Sequence, residues 1–261
     1  MNAWISLTKK EFKLGLPAFI IALILFVGII GAGFLAGNQW GYQGEMLAVA
    51  FGVVITLHMF FLTFYLFYSL NSERKRLHLW LHTPMSIAGL LSSKIFTGTV
   101  FMVSTFLIST ILSTSIFSST FDFINQETIF NLIGISTISV FVLAIFLAAN
   151  FLFFWSVFLT YSQRMNDFLS FILTVILFFF ISWGYQSLVD LSFIQTLTNW
   201  GSIQVNDLIV GFEFNLTADE FEGETISEQT ILYIGNFVSD IIVSTILFIA
   251  ACWIIDKKVE V

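Results

Sequence analysis

The feature that most constrains this chain is a run such as LPAFIIALILFVGIIGAGFLA, residues 16–36, in which 21 consecutive residues carry no charge. A helix rises about 1.5 Å per residue, so about 20 such residues cross a hydrocarbon core. Five comparable runs follow, at approximately 47–70, 95–117, 129–160, 168–187 and 231–255. The fourth exceeds what a span requires, so it tilts, bends or extends past the membrane. Their apolarity is continuous rather than alternating, which excludes a transmembrane barrel. Only 10% of residues are charged and 57% are hydrophobic, against roughly 25% charged in soluble domains. The expected fold is all-α and polytopic: one transmembrane domain over residues 1–261, with six membrane helices.

The connecting segments sort by charge. Residues 1–15, 71–94, 161–167 and 256–261 hold all ten Lys and Arg residues and five acids. Residues 37–46, 118–128 and 187–230 hold no Lys or Arg and eleven acids. Positive segments stay on the cytoplasmic side of a cell membrane, so both termini are expected there. The first apolar run lacks the short core and small-residue cleavage site of a signal peptide and is expected to stay as helix 1. Cys252 is the single cysteine, so no disulfide forms within the chain.

Residues 2–14, NAWISLTKKEFKL, form an amphipathic pattern. Trp4, Leu7, Glu11 and Leu14 share one side, and Lys9, Lys10 and Lys13 lie mostly opposite. This predicts an interface helix over 1–15, either anchoring to anionic headgroups or docking a partner. Pro17 is placed to turn it into helix 1. The outer segment 187–230 is too long for a simple connection. Its apolar first part predicts one or two short helices at the outer leaflet; its acidic second part, TADEFEGETISEQ, predicts a solvated stretch.

Residues 71–94, NSERKRLHLWLHTPMSIAGLLSSK, break the apolar pattern most sharply. In a helix running from about Ser72 to the turn at Thr83-Pro84, Leu77, Trp80 and Leu81 form one stripe at i, i+3 and i+4, with Arg74, Lys75, His78 and His82 on the other side. Such a stripe suits either a lipid surface or a groove on a cytosolic protein.

The motifs of catalysis are missing. There is no G-x-x-x-x-G-K-[ST] phosphate loop and no HExxH, and the three histidines have no convincing third ligand. The expectation is therefore a chain with no catalytic residues, metal or cofactor of its own, and no nucleic-acid partner. Four polar residues fall within the apolar runs: His58, Asn150, Asn236 and Asp240. An ionisable side chain inside a membrane normally faces the bundle interior, so each either satisfies a packing need or lines a translocation path. Gly28/Ala32, Gly33/Gly37 and Ala144/Ala148 are small-xxx-small pairs, which favour close helix contacts.

The layout and one motif resemble the permease subunits of type-2 ATP-binding-cassette (ABC) exporters. The motif comprises Ser72-Glu73-Arg74, then Thr83-Pro84-Met85-Ser86 after a short helix, then Lys94 opening the next span. In that family the stretch contains the coupling helix that docks on the ATPase subunit. The resemblance implies a dimer of permeases, identical or related, above two separate ATPase subunits that bind ATP and Mg. It implies that Glu73, Arg74, Leu77, Trp80, Leu81 and Pro84 contact the ATPase. It also implies export of a hydrophobic or amphipathic substrate; the short stand-alone permeases resemble bacterial exporters of amphipathic peptide toxins such as the phenol-soluble modulins. Helix 5 lacks the glycine breaks of a re-entrant pair, a departure from the family. Two other classes fit the residues: an ATP-independent channel or secondary transporter, and a membrane immunity or regulatory protein that transports nothing.

Overall fold

A computed structural model describes residues 3–74, 85–120, 126–205, 209–215, 220–226 and 230–258. Its helices, numbered in chain order, are α1 (Ala3–Trp40), α2 (Gln43–Glu73), α3 (Ile87–Thr120), α4 (Gln126–Ser162), α5 (Asp167–Val189), α6 (Ser192–Thr198) and α7 (Ile234–Lys258). All but α6 are long and apolar enough to cross a membrane. The fold is an all-α polytopic membrane bundle, as the uncharged runs require.

Several helices overshoot the hydrocarbon thickness. The 38 residues of α1 span ~57 Å at about 1.5 Å each, so this helix projects beyond the bilayer. Residues 3–14 are therefore not a separate interface helix. They are the first turns of α1, which continues through Pro17. Proline removes one backbone donor and disfavours a helix interior, but the segment is held from outside. Trp4 Nε1 donates to Ser92 Oγ at 3.3 Å, and Trp4 packs on Phe96 with ring centroids 5.5 Å apart. Phe12 and Phe19 both meet Phe101, at 5.3 and 4.7 Å. Packing on α3 overrides the local cost of proline.

α1, α2 and α3 form one tight group. At its centre the Tyr65 ring of α2 is wedged between two glycines: a Cβ on Gly15 would lie 2.5 Å from Tyr65 Cε2, and one on Gly98 2.5 Å from its Cδ1. At the far end, Gly41 turns α1 into α2 with φ of 81°. A Cβ on Gly33 would sit 2.6 Å from Ala50 Cβ, and one on Gly37 2.7 Å from Gln43 Cα, so that small pair is a close helix contact. Gly28 has open space around it and makes no such contact. α4 packs on α2 and, along much of its length, on α7. Small residues are buried on both of these helices: Ala144 and Ala148 on α4, Ser244 and Ala251 on α7. α5 is the peripheral span; only Ser170 and Thr174 are buried along it.

Among the described residues of 187–230 there is one short helix, α6, within the expectation of one or two. Beyond it come two antiparallel strand pairs. β1 (Ser202–Val205) pairs with β4 (Thr230–Tyr233), Ser202 opposite Tyr233. β2 (Ile209–Asn215) pairs with β3 (Glu220–Ile226), Ile209 opposite Ile226. Charge content presents 217–229 as a solvated acidic stretch, yet Glu220, Glu222 and Glu224 alternate with Phe221, Gly223 and Thr225, and that period of two is a strand signature. The segment is pinned to the start of α7: Ile234 N donates to Gly201 O at 3.1 Å and Gly235 N to Trp200 O at 3.2 Å. Only glycine fits at 235, since a Cβ there would lie 2.1 Å from Thr198 O.

Candidate functional site

At the basic end of the bundle, among the described residues, four charged side chains cluster at the junction of α1, α2 and α3. Lys94, in the second turn of α3, is fully buried. Its ammonium lies 2.8 Å from Glu11 Oε2 on α1 and 2.8 Å from Ser69 Oγ on α2. It lies 2.8 Å from Glu73 Oε2, at the last residue of α2. Glu11 is as deeply buried as Lys94, whereas Glu73 keeps a side-chain exposure of 15%. Lys10 closes the group from the solvent side, 2.9 Å from Glu73 Oε1. Two carboxylates and two ammonium groups thus join three helices.

Charge balance is what permits this burial. An isolated buried charge is costly, and a pair is tolerated when its remaining hydrogen bonds are met. Ser69 helps here by donating to Glu11 Oε2 at 3.3 Å while accepting from Lys94. Sequence reasoning placed Lys94 at the opening of its span but missed this function for it. Glu11 carried a signal: a carboxylate on the same helix face as Trp4, Leu7 and Leu14 needs a buried cation.

Arg74, directly after the last residue of α2, is held by a second group. Its Nη2 donates to Asp167 Oδ1 at the start of α5, and the guanidinium stacks 4.8 Å from the centroid of Phe158 on α4. Glu73 and Arg74, both expected to meet a partner ATPase, are thus engaged within the bundle. Residues 75–84 fall outside the described residues, and with them Leu77, Trp80, Leu81 and Pro84. The chain on either side of that segment is fixed: α2 ends in the two charged groups, and α3 begins at Ile87 with Lys94 in the first group.

The four intramembrane polar residues do not converge. His58 is fully buried among α1, α2 and α3, stacked on Phe26 at 4.5 Å and edge-on to Phe106 at 5.2 Å. Its Nδ1 lies 2.7 Å from Val54 O. A carbonyl only accepts, so Nδ1 carries the proton and Nε2, 3.2 Å from Thr105 Oγ1, faces a hydroxyl. Asn150 donates to its own helix at Phe146 O, 2.9 Å away. Asp240, half-buried on α7, lies within electrostatic reach of Tyr185 on α5, and Tyr185 packs on Phe146. Asn150 and Asp240 therefore belong to the α4–α5–α7 side, and His58 to the opposite group. Asn236 is exposed one turn before Asp240.

Comparison with protein-family models, with curated proteins and with solved structures finds no match.

Proposed function

We propose that this chain is the membrane-spanning permease subunit of an ATP-driven exporter of the type-2 ABC kind, non-catalytic itself and powered by separate ATPase subunits. The observation that supports this reading best is the buried Glu11–Lys94–Glu73 group. A cytosolic motor that moves residues 75–84 needs stiff attachments at both ends of that segment. The ion group supplies them, tying the end of α2 to α1 and to the start of α3, while Arg74 ties it to α5.

In this mechanism Leu77, Trp80, Leu81 and Pro84 dock on the ATPase, and Glu73 and Arg74 anchor the docked segment to the bundle. Closure of two ATPase subunits around ATP and Mg pushes on the segment. α1, α2 and α3 then move as one body relative to α4, α5 and α7, opening or squeezing an exit path in a permease dimer. Asn150, Asn236 and Asp240 lie on the helices that would flank the path; His58 locks the moving body together. Substrates would be hydrophobic or amphipathic, peptides among them. Both termini would be cytoplasmic, in a bacterial cell membrane.

The test is co-purification with a phosphate-loop ATPase encoded beside this chain, followed by export from reconstituted vesicles. Leu77→Asp with Trp80→Asp should weaken ATPase binding at least ~30-fold. Lys94→Met with Glu11→Leu should preserve binding but uncouple export from hydrolysis. ATPase binding and export untouched by the first pair would exclude the docking assignment.

A further inference from the structure

A groove opens at the same end of the molecule, on the side away from α1. α4 forms its floor, with α2 and α5 as its walls, and it encloses about 350 Å³. Its inner part is almost wholly aromatic: Phe67 on α2, Phe151, Phe154 and Trp155 on α4, and Phe171 and Phe178 on α5. Its mouth is polar, formed by Asn71, Ser72, Arg74 and Asp167. Arg74 borders both parts.

This polarity runs along the membrane normal. The aromatic part lies beside the spanning turns of three helices, and the mouth lies where α2 ends and α5 begins. An occupant must therefore have a hydrocarbon tail pointing into the bilayer and a head at the surface. The head must suit a guanidinium, whose planar fork of donors pairs with phosphate. One arm of Arg74 already meets Asp167, but that carboxylate is 65% exposed, so a phosphate can share the fork with it. Among the described residues, the helix ends and turns at this end of the molecule also carry Lys9, Lys10, Lys13, Arg164, Lys257 and Lys258, and basic side chains at a membrane surface raise the local concentration of anionic lipid.

We propose that this groove binds one anionic phospholipid, its acyl chain along the aromatic floor and its phosphate against Arg74. The site does not depend on the exporter reading; a channel or a non-transporting membrane protein would carry it equally.

Trp155 makes the proposal measurable. It lies in the groove floor and is only 8% exposed, so only a lipid inside the groove brings an acyl chain against it. The full chain is reconstituted in phosphatidylcholine vesicles with increasing phosphatidylglycerol, one lipid at a time brominated on its acyl chain. Quenching of Trp155 is taken as the difference between the wild type and Trp155→Phe. The expected result is a preference of ~5-fold or more for brominated phosphatidylglycerol, the scale of one cation near an anionic surface. Arg74→Gln should reduce it to within about 2-fold, and Arg74→Lys should retain part of it. Should Arg74→Gln fail to fold, Asn71→Asp places a carboxylate at the mouth and should also remove the preference. Equal quenching by both lipids in the wild type, or a preference that survives both Arg74→Gln and Asn71→Asp, would overturn the assignment. So would a Trp155 that neither lipid quenches, the outcome if a second copy of the chain or another protein covers the groove.

Discussion

Lys94 is the residue on which the most structure depends. Removing its charge alone leaves Glu11 buried without a counterion, and breaking a buried pair on one side costs about 3–5 kcal/mol. Lys94→Met should therefore lower thermal stability sharply in detergent unfolding. The double variant Glu11→Leu with Lys94→Met leaves the Lys10–Glu73 pair balanced and should recover most of that loss. Tyr65 offers a steric counterpart. Gly98→Val drives a side chain into the Tyr65 ring and into Leu62, whose Cδ1 would be 2.7 Å away, and overpacking of this kind costs roughly 1–3 kcal/mol. Gly28→Ala has nothing to strike and should be neutral or stabilising by up to about 1 kcal/mol. Melting curves of the two glycine variants separate the contact glycine from the free one. At this scale the sequence was only half legible. Glu11 is conspicuous on an apolar helix face, but its partner lies 83 residues away, and no local pattern reports a pairing at that separation. His58 was visible as a buried polar group, but its partners come from three helices: Phe26 on α1, Val54 on α2, and Thr105 and Phe106 on α3.

Among the elements, the spans were legible because membrane crossing depends on length and apolarity, both local properties. What local pattern got wrong was the start of α1. The amphipathic pattern of residues 2–14 and Pro17 predicted a separate interface helix turning into helix 1; contacts from Trp4, Phe12 and Phe19 to α3 keep one helix. Pro17→Ala should then raise the melting temperature without changing the path of the helix, with a gain of up to roughly 3 kcal/mol, the helix-interior cost of proline. A melting temperature lowered by that substitution would mean that the proline itself shapes the helix. The outer strands teach the converse. Their alternation was in the sequence, but a dense run of acids masked it, because charge is a cue to solvation and not to backbone conformation.

In the whole molecule, α4 is the joining element: the group of α1, α2 and α3, bound by Tyr65, His58 and the ion group, meets it through α2, while α7 packs along much of its other side and α5 is peripheral. In the proposed mechanism a force on residues 75–84 would reach α1 and α3 through Glu73 and the Lys94 group, and α4 and α5 through Arg74. The most direct test is nucleotide-driven export in vesicles holding this chain and the ATPase partner proposed for it. With Trp80→Asp and Leu77→Asp, loss of two apolar anchors should weaken ATPase binding at least ~30-fold and bring export to background, with hydrolysis by the free ATPase unchanged. Export at full rate from those variants, or from the wild type without ATP hydrolysis, would contradict the claim that a motor works through this segment.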